Sequence, residues 1–165
     1  MYQVVLVILI TVATFALVSC GKSETDVASG EAVKSSALTA ASLGEQSVLS
    51  PKEYLAQDSY ASADTARGEA LSMQCRACHT LEQGGPAIVG PNLFGFFGMK
   101  AGSNAEYGYS DVLAASGFVW TPRALDAWLA EPYLFLPGNR MTFPGLTNES
   151  DRNAVIAYLL QQTIK

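Results

Sequence analysis

Cys75, Cys78 and His79 stand within five residues of one another, in Cys75-Arg76-Ala77-Cys78-His79. The chain has three cysteines and one histidine, so nearly all its soft-ligand and nucleophile chemistry falls in this segment. Two thiols three residues apart at a helix end can each add to one of the two vinyl groups on a porphyrin edge. The next residue then aims its imidazole at the iron, which makes C-x-x-C-H a pattern of covalent haem attachment. Three other chemistries use parts of the same motif. A thioredoxin-like pair should follow a strand in a βαβ unit, and no β-branched run precedes Cys75. A structural zinc site needs about four ligands, and the remaining cysteine, Cys20, lies far away. A plain structural disulfide would not need His79. The lone histidine also excludes any multi-histidine metal site, and a Ser-His-Asp triad would have to use His79.

Low-spin haem iron takes a sixth ligand, and methionine is the choice that raises the reduction potential. The chain has four methionines. Met1 belongs to the N-terminal segment, and Met73 is too close to the attachment motif to reach the other haem face. Met99 sits in Phe96-Phe97-Gly98-Met99-Lys100, where a core or loop role suffices. Met141 sits in Pro137-Gly138-Asn139-Arg140-Met141-Thr142-Phe143-Pro144-Gly145. A thioether on a loop stiffened by prolines has little entropy left to lose on binding. Met141 is therefore the expected sixth ligand.

The elements that must position these groups read as helices. Asp64-Thr65 precede a helical run over Ala66 to Ala77, with Leu71 and Cys75 on one face and Gly68 able to permit close packing. Thr121 as N-cap and Pro122 in the first turn start a helix through Glu131, with Leu125, Trp128 and Leu129 on one face, and Pro132 ends it. Ser150 to Gln162 forms the last helix, with Val155, Ile156, Tyr158 and Leu159 as its packed stripe. Pro51 to Tyr60 could form a short helix.

From about Gly68 onward the sequence resembles a class I cytochrome c of the mitochondrial and cytochrome c2 type. The matching stretches are Cys78-His79-Thr80, Gly84-Gly85, Gly90 to Gly95, Tyr109-Ser110-Asp111, Val119-Trp120, Pro137 to Phe143 and Ile156-Ala157-Tyr158-Leu159. The resemblance implies an all-α fold, helices wrapped around one haem c bound through Cys75 and Cys78. It makes His79 the proximal ligand and gives the Pro91 carbonyl the other imidazole N–H, the hydrogen bond expected of a ligating histidine. It matches Tyr109 and Trp120 to donors to a buried haem propionate and Phe143 to the aromatic covering the haem near Met141. It also implies that the first and last helices cross, with Gly68 and Leu71 facing Tyr158. Departures are informative. Met99 stands where many members have an arginine, and Trp128 where a tyrosine commonly lies beside the methionine sulfur. The usual ring of lysines is replaced by Gln74, Ile88, Tyr133, Leu134, Thr147 and Asn148.

The rest of the chain suggests attachment to a membrane. Residues 1–19 form a signal peptide or anchor, since Tyr2 to Val18 holds no charged residue. Leu17-Val18-Ser19-Cys20-Gly21 resembles a bacterial lipobox, which would make Cys20 a lipidation site; the alternative is an uncleaved helix anchor. No Lys or Arg opens the segment, a departure from the bacterial signal pattern. Residues 20–63 read as a flexible tether, with Ser and Ala filling 17 of positions 21–63, and such a coil would span on the order of 35 Å. Residues 64–165 form the cytochrome domain. The net charge of −5 argues against a nucleic-acid partner. The expected function is one-electron transport by a monomer in the bacterial cell envelope, with the haem domain in the periplasm or outside the membrane. Its partners would be quinol–cytochrome c oxidoreductase, cytochrome c oxidase or similar complexes. The rival is a haem enzyme or ligand sensor, which needs an open sixth position.

Overall fold

The computed structural model describes residues 38–163. Among them the regular structure is helical, apart from one isolated antiparallel bridge between Lys100 and Val119. The helices are α1 (Pro51–Leu55), α2 (Asp58–Ala61), α3 (Thr65–Arg76), α4 (Asp111–Ala115), α5 (Pro122–Ala130), α6 (Pro132–Phe135) and α7 (Glu149–Gln162). This is the all-α arrangement expected. A 3₁₀ turn, Ala40–Ser42, precedes them.

Local chemistry sets most helix starts. Asp64 accepts from the Arg67 N–H at the head of α3, Thr121 from Ala124 at α5, and Asn148 from Asp151 at α7. Each satisfies an N–H that has no partner within its own helix. Proline occupies the first turn of α1, α5 and α6, where its missing N–H removes nothing from the helix.

The core forms where α3 crosses α7. A Cβ on Gly68 would lie 2.1 Å from the Ala154 carbonyl oxygen and 3.1 Å from Tyr158 Cβ. Only glycine allows this approach. From Ala154 to Leu160 every residue of α7 is buried, because α3 covers one side while α5, α1 and α2 cover the rest. Leu125, Trp128 and Leu129 of α5 join this core as expected. Phe118, Trp120, Trp128 and Phe135 pack edge to face, with centroids 4.7–5.8 Å apart, the arrangement ring quadrupoles favour.

The expected tether differs from what its composition suggested. Residues 1–37, including Cys20, lie outside the described residues. From residue 38 the chain is packed: Leu43 and Tyr54 are buried, and Leu38, Leu55 and Tyr60 lie against the core. The short helix anticipated over 51–60 is two, α1 and α2. This strap has little apolar periodicity of its own, because the surface its isolated large side chains cover belongs to distant parts of the chain. The folded unit thus begins well before residue 64.

Candidate functional site

The site starts at the C-terminal end of α3. After Arg76 the chain closes one more turn, with Cys78 N–H and His79 N–H both donating to the Cys75 carbonyl at 3.0 and 2.8 Å. That turn brings both thiols and the imidazole to the wall of one cavity of about 530 Å³. Its volume falls within the ~300–1,000 Å³ usual for small-molecule and cofactor sites.

The loop after His79 holds the ring. His79 Nδ1 lies 2.7 Å from the Pro91 carbonyl oxygen. A carbonyl can only accept, so Nδ1 carries the proton and Nε2 keeps its lone pair. Burial holds the imidazole below its ordinary value, against the opposing pull of the Pro91 hydrogen bond. The ring is thus neutral at neutral pH, the form in which it can ligate a metal. Gly90 donates its N–H to the Cys78 carbonyl at 2.7 Å. A Cβ there would stand 2.3 Å from His79 Cε1, so the ring lies directly on the glycine. Asn92 staples the loop: its Nδ2 donates to Thr80 Oγ1 at 2.7 Å and to the Glu82 carbonyl at 3.0 Å, and its Oδ1 accepts from Phe94 N–H. Burial also pushes the Cys75 thiol up, partly opposed by a hydrogen bond from its own backbone.

The second wall is the loop that carries Met141. Asn139 is buried and donates to the carbonyls of Pro132 and Leu136, both at 2.9 Å. Its Oδ1 accepts from the Met141 N–H at 2.9 Å. Downstream, Leu146 N–H donates to the Leu129 carbonyl at 2.7 Å. Gly145 has φ +101°, and a Cβ there would meet the Ala130 carbonyl oxygen at 2.2 Å. Arg152 of α7 pairs with Asp126 of α5 at 2.6 Å and donates to the carbonyls of Leu146 and Thr147. The loop is therefore clamped at both ends.

All eight positions singled out on the haem side line this one cavity: Cys75, Cys78, His79, Pro91, Tyr109, Trp120, Met141 and Phe143. Met99 lines it too, from the exposed loop at the Lys100–Val119 bridge. Trp128 lies on the wall beside Trp120, with ring centroids 5.5 Å apart. Tyr109 is half-buried and packs on Tyr107 at 4.9 Å, and burial raises its phenol. Of the residues that replace the lysine ring, Tyr133 is 58% exposed, whereas the adjoining Phe135 is 1% exposed and belongs to the core. Asn92, Asn139 and Arg152 were not singled out from the sequence. Asn139 follows Pro-Gly in a turn setting where Asn is favoured, but its partners emerge only from the fold.

Two thiols at a helix end, a neutral imidazole with its free nitrogen released, and thioethers on a largely apolar cavity suit one planar macrocycle fixed by thioether bonds. The class defined is a small helical protein that wraps a covalently bound haem. No family model matches the chain. Cytochrome c of Theileria annulata is 45% identical over 103 residues, which cover 62% of this chain and 89% of that protein. Cytochrome c2 of Agrobacterium tumefaciens is 38% identical over 100 residues, covering 59% and 90%. The structure of cytochrome cH from Methylobacterium extorquens matches with a TM-score of 0.55 at 41% identity, covering 59% of this chain and 97% of that one. The chain belongs to the cytochrome c family. It has the class I cytochrome c fold, carries one haem c bound through Cys75 and Cys78, and transfers single electrons rather than transforming a substrate.

Proposed function

We propose that His79, through Nε2, and Met141, through Sδ, would ligate the haem iron, and that the protein shuttles electrons between membrane redox complexes. The observation that carries the ligand reading is that both side chains line one cavity while His79 Nδ1 is committed to Pro91. Bound haem c supplies the one-electron chemistry, its iron alternating between ferric and ferrous. The chain's own groups orient and tune it. Pro91 fixes the imidazole tautomer, and Asn139 presents Met141. Tyr109 and Trp120 would donate to a propionate, and Phe143 would cover the haem on the Met141 side. A neutral sulfur ligand and an apolar wrap disfavour the extra charge of the ferric state, so the potential is well positive. The test is spectroscopic. Ferric protein should show the weak near-infrared methionine–iron band, Met141→Leu should abolish it, and Met99→Leu should leave it intact. Loss of the band in Met99→Leu alone would reassign the ligand.

The setting proposed is the bacterial cell envelope, with a lipid on Cys20 or an uncleaved N-terminal helix holding the chain to a membrane. The Leu17 to Gly21 pattern and the uncharged Tyr2 to Val18 stretch support this. Covalent attachment fits a compartment where a lost haem is not recovered. Quinol–cytochrome c oxidoreductase and a terminal oxidase are the proposed donor and acceptor. Mass spectrometry of the mature N-terminus discriminates the anchors: a diacylglyceryl Cys20 marks a lipoprotein, and an intact Met1 marks a helix anchor.

A further inference from the structure

Val119 is flanked by two residues whose backbones are tied to the loop at Gly98–Ala101. Ala101 N–H donates to the Phe118 carbonyl at 2.8 Å, Trp120 N–H to the Met99 carbonyl at 2.9 Å, and Gly98 N–H to the Trp120 carbonyl at 2.9 Å. Backbone groups alternate sides along an extended segment, so the N–H and C=O of Val119 point the other way. Thr121 N–H turns back onto the Val119 carbonyl at 2.9 Å, which leaves the half-buried Val119 N–H to be met from elsewhere.

The carboxamide of Gln46 meets it. Its Oε1 accepts from Val119 N–H at 2.7 Å, and its Nε2 donates to the Val119 carbonyl at 2.7 Å and to Thr121 Oγ1 at 3.1 Å. A carboxamide carries the same donor and acceptor as a peptide, so one side chain stands in for a neighbouring strand. The strap around it is anchored on both sides. Leu43 is buried and its carbonyl accepts from Arg123 Nη1 at 3.0 Å. The Tyr54 hydroxyl donates to the Ser47 carbonyl at 3.1 Å and accepts from Leu49 N–H at 3.0 Å. Val48 rests against Gly98, where a Cβ would come within 3.1 Å of its Cγ1.

We propose that Gln46 is a positioning residue for electron transfer: by pairing with Val119 it holds Trp120 against the haem cavity. The strap thereby backs the haem wall from behind Val119 and Trp120. This rests on the haem reading of the cavity but not on which methionine ligates. Its effect is to keep the wall closed to water on the Trp120 side, and exclusion of water is one of the levers that set a haem potential.

The test uses the full-length holoprotein with Gln46→Met, which keeps the length and removes all three hydrogen bonds of the carboxamide, and with Glu45→Gln, an exposed neighbour, as control. Amide hydrogen exchange should quicken at least tenfold at Val119 and measurably at Trp120, while α7 amides from Ala154 to Leu160 stay protected. The ferrous share at a fixed ambient potential should fall about threefold, since a wetter wall favours the ferric charge. Glu45→Gln should change neither reading. Unchanged exchange at Val119 would overturn the pairing. Faster exchange at Val119 with Trp120 exchange and potential at wild-type values would overturn the positioning role, leaving Gln46 a merely structural contact. Absence of bound haem in the wild-type protein would instead sink the haem reading itself.

Discussion

Glycine 90 and asparagine 139 bear on the site as directly as the groups they hold. A Cβ at residue 90 would collide with the His79 ring at 2.3 Å, and the ring's Nδ1 is fixed by Pro91. Gly90→Ala should therefore push the imidazole off its line, at a cost of about 1–3 kcal/mol. The holoprotein's thermal midpoint and its low-spin spectrum would register it; an unaltered spectrum would mean the loop yields freely. Asn139 makes two donations and one acceptance in a buried setting. In Asn139→Ala the Pro132 and Leu136 carbonyls keep backbone donors, from Leu136 N–H at 3.0 Å and residue 139 N–H at 3.2 Å, but the Met141 N–H loses its acceptor, at about 1–3 kcal/mol. Denaturant unfolding should show the loss, and, on the proposed ligation by Met141, exogenous imidazole should displace the methionine at lower concentration than in the wild type.

Helix packing sets the next scale. Alanine is a better helix former than glycine by about 1 kcal/mol, yet Gly68→Ala should destabilise. Its Cβ would sit 2.1 Å from a backbone oxygen of α7 that has no rotamer to change. α3 and α7 would have to part, and overpacking of that kind costs about 1–3 kcal/mol, which outweighs the propensity gain. A higher denaturation midpoint in Gly68→Ala would contradict this. The same helices are joined at their N-terminal ends by Arg67 and Asp151, 2.9 Å apart. The hydrogen bond from Arg67 holds the Asp151 carboxyl below its ordinary 3.8. A carboxyl lowered on folding stabilises the native state above its unfolded value, and that contribution disappears as pH falls through the lowered one. The wild type should thus exceed Asp151→Asn in stability at neutral pH by a small, exposed-pair margin. The two should converge below pH 3.8, as paired pH-dependent melts would show.

At the scale of the whole molecule, charge and surface shape association. Of the local charges beside the motif, Arg76 is paired with Glu82 at 2.6 Å and Arg140 donates to the Gly108 carbonyl. Apolar side chains stand exposed instead: Val89 at 71%, Ile88 at 51% and Leu134 at 47%. With a formal net charge of −5, long-range steering onto an acidic partner has little to act through. Electron transfer to a redox partner complex should therefore depend only shallowly on ionic strength, read from stopped-flow rates across a salt series. A steep fall between low and moderate salt would show that a basic face operates after all.

The attachment chemistry was legible in Cys75 to His79 because covalent haem capture needs its groups within one helical turn, which is a local pattern. Helix starts at Asp64 and Thr121 were legible for the same reason, since a cap acts over three residues. Met141 could be singled out because prolines and glycines stiffen its loop, although the residues that clamp that loop could not. Arg152 reaches Asp126 across 26 positions, and Gln46 reaches Val119 across 73. Neither has a signature in sequence, because a carboxamide or guanidinium acquires its partner only when distant backbone arrives beside it. The strap has the composition of a tether for the same cause: its large side chains are isolated, and the apolar surface they cover exists only once α5 and α7 are in place. By itself the sequence determined the haem-binding chemistry and the helices that carry it. The tertiary structure decided where the folded unit begins and which polar side chains hold the cavity's walls, because those interactions depend on residues that meet only after folding.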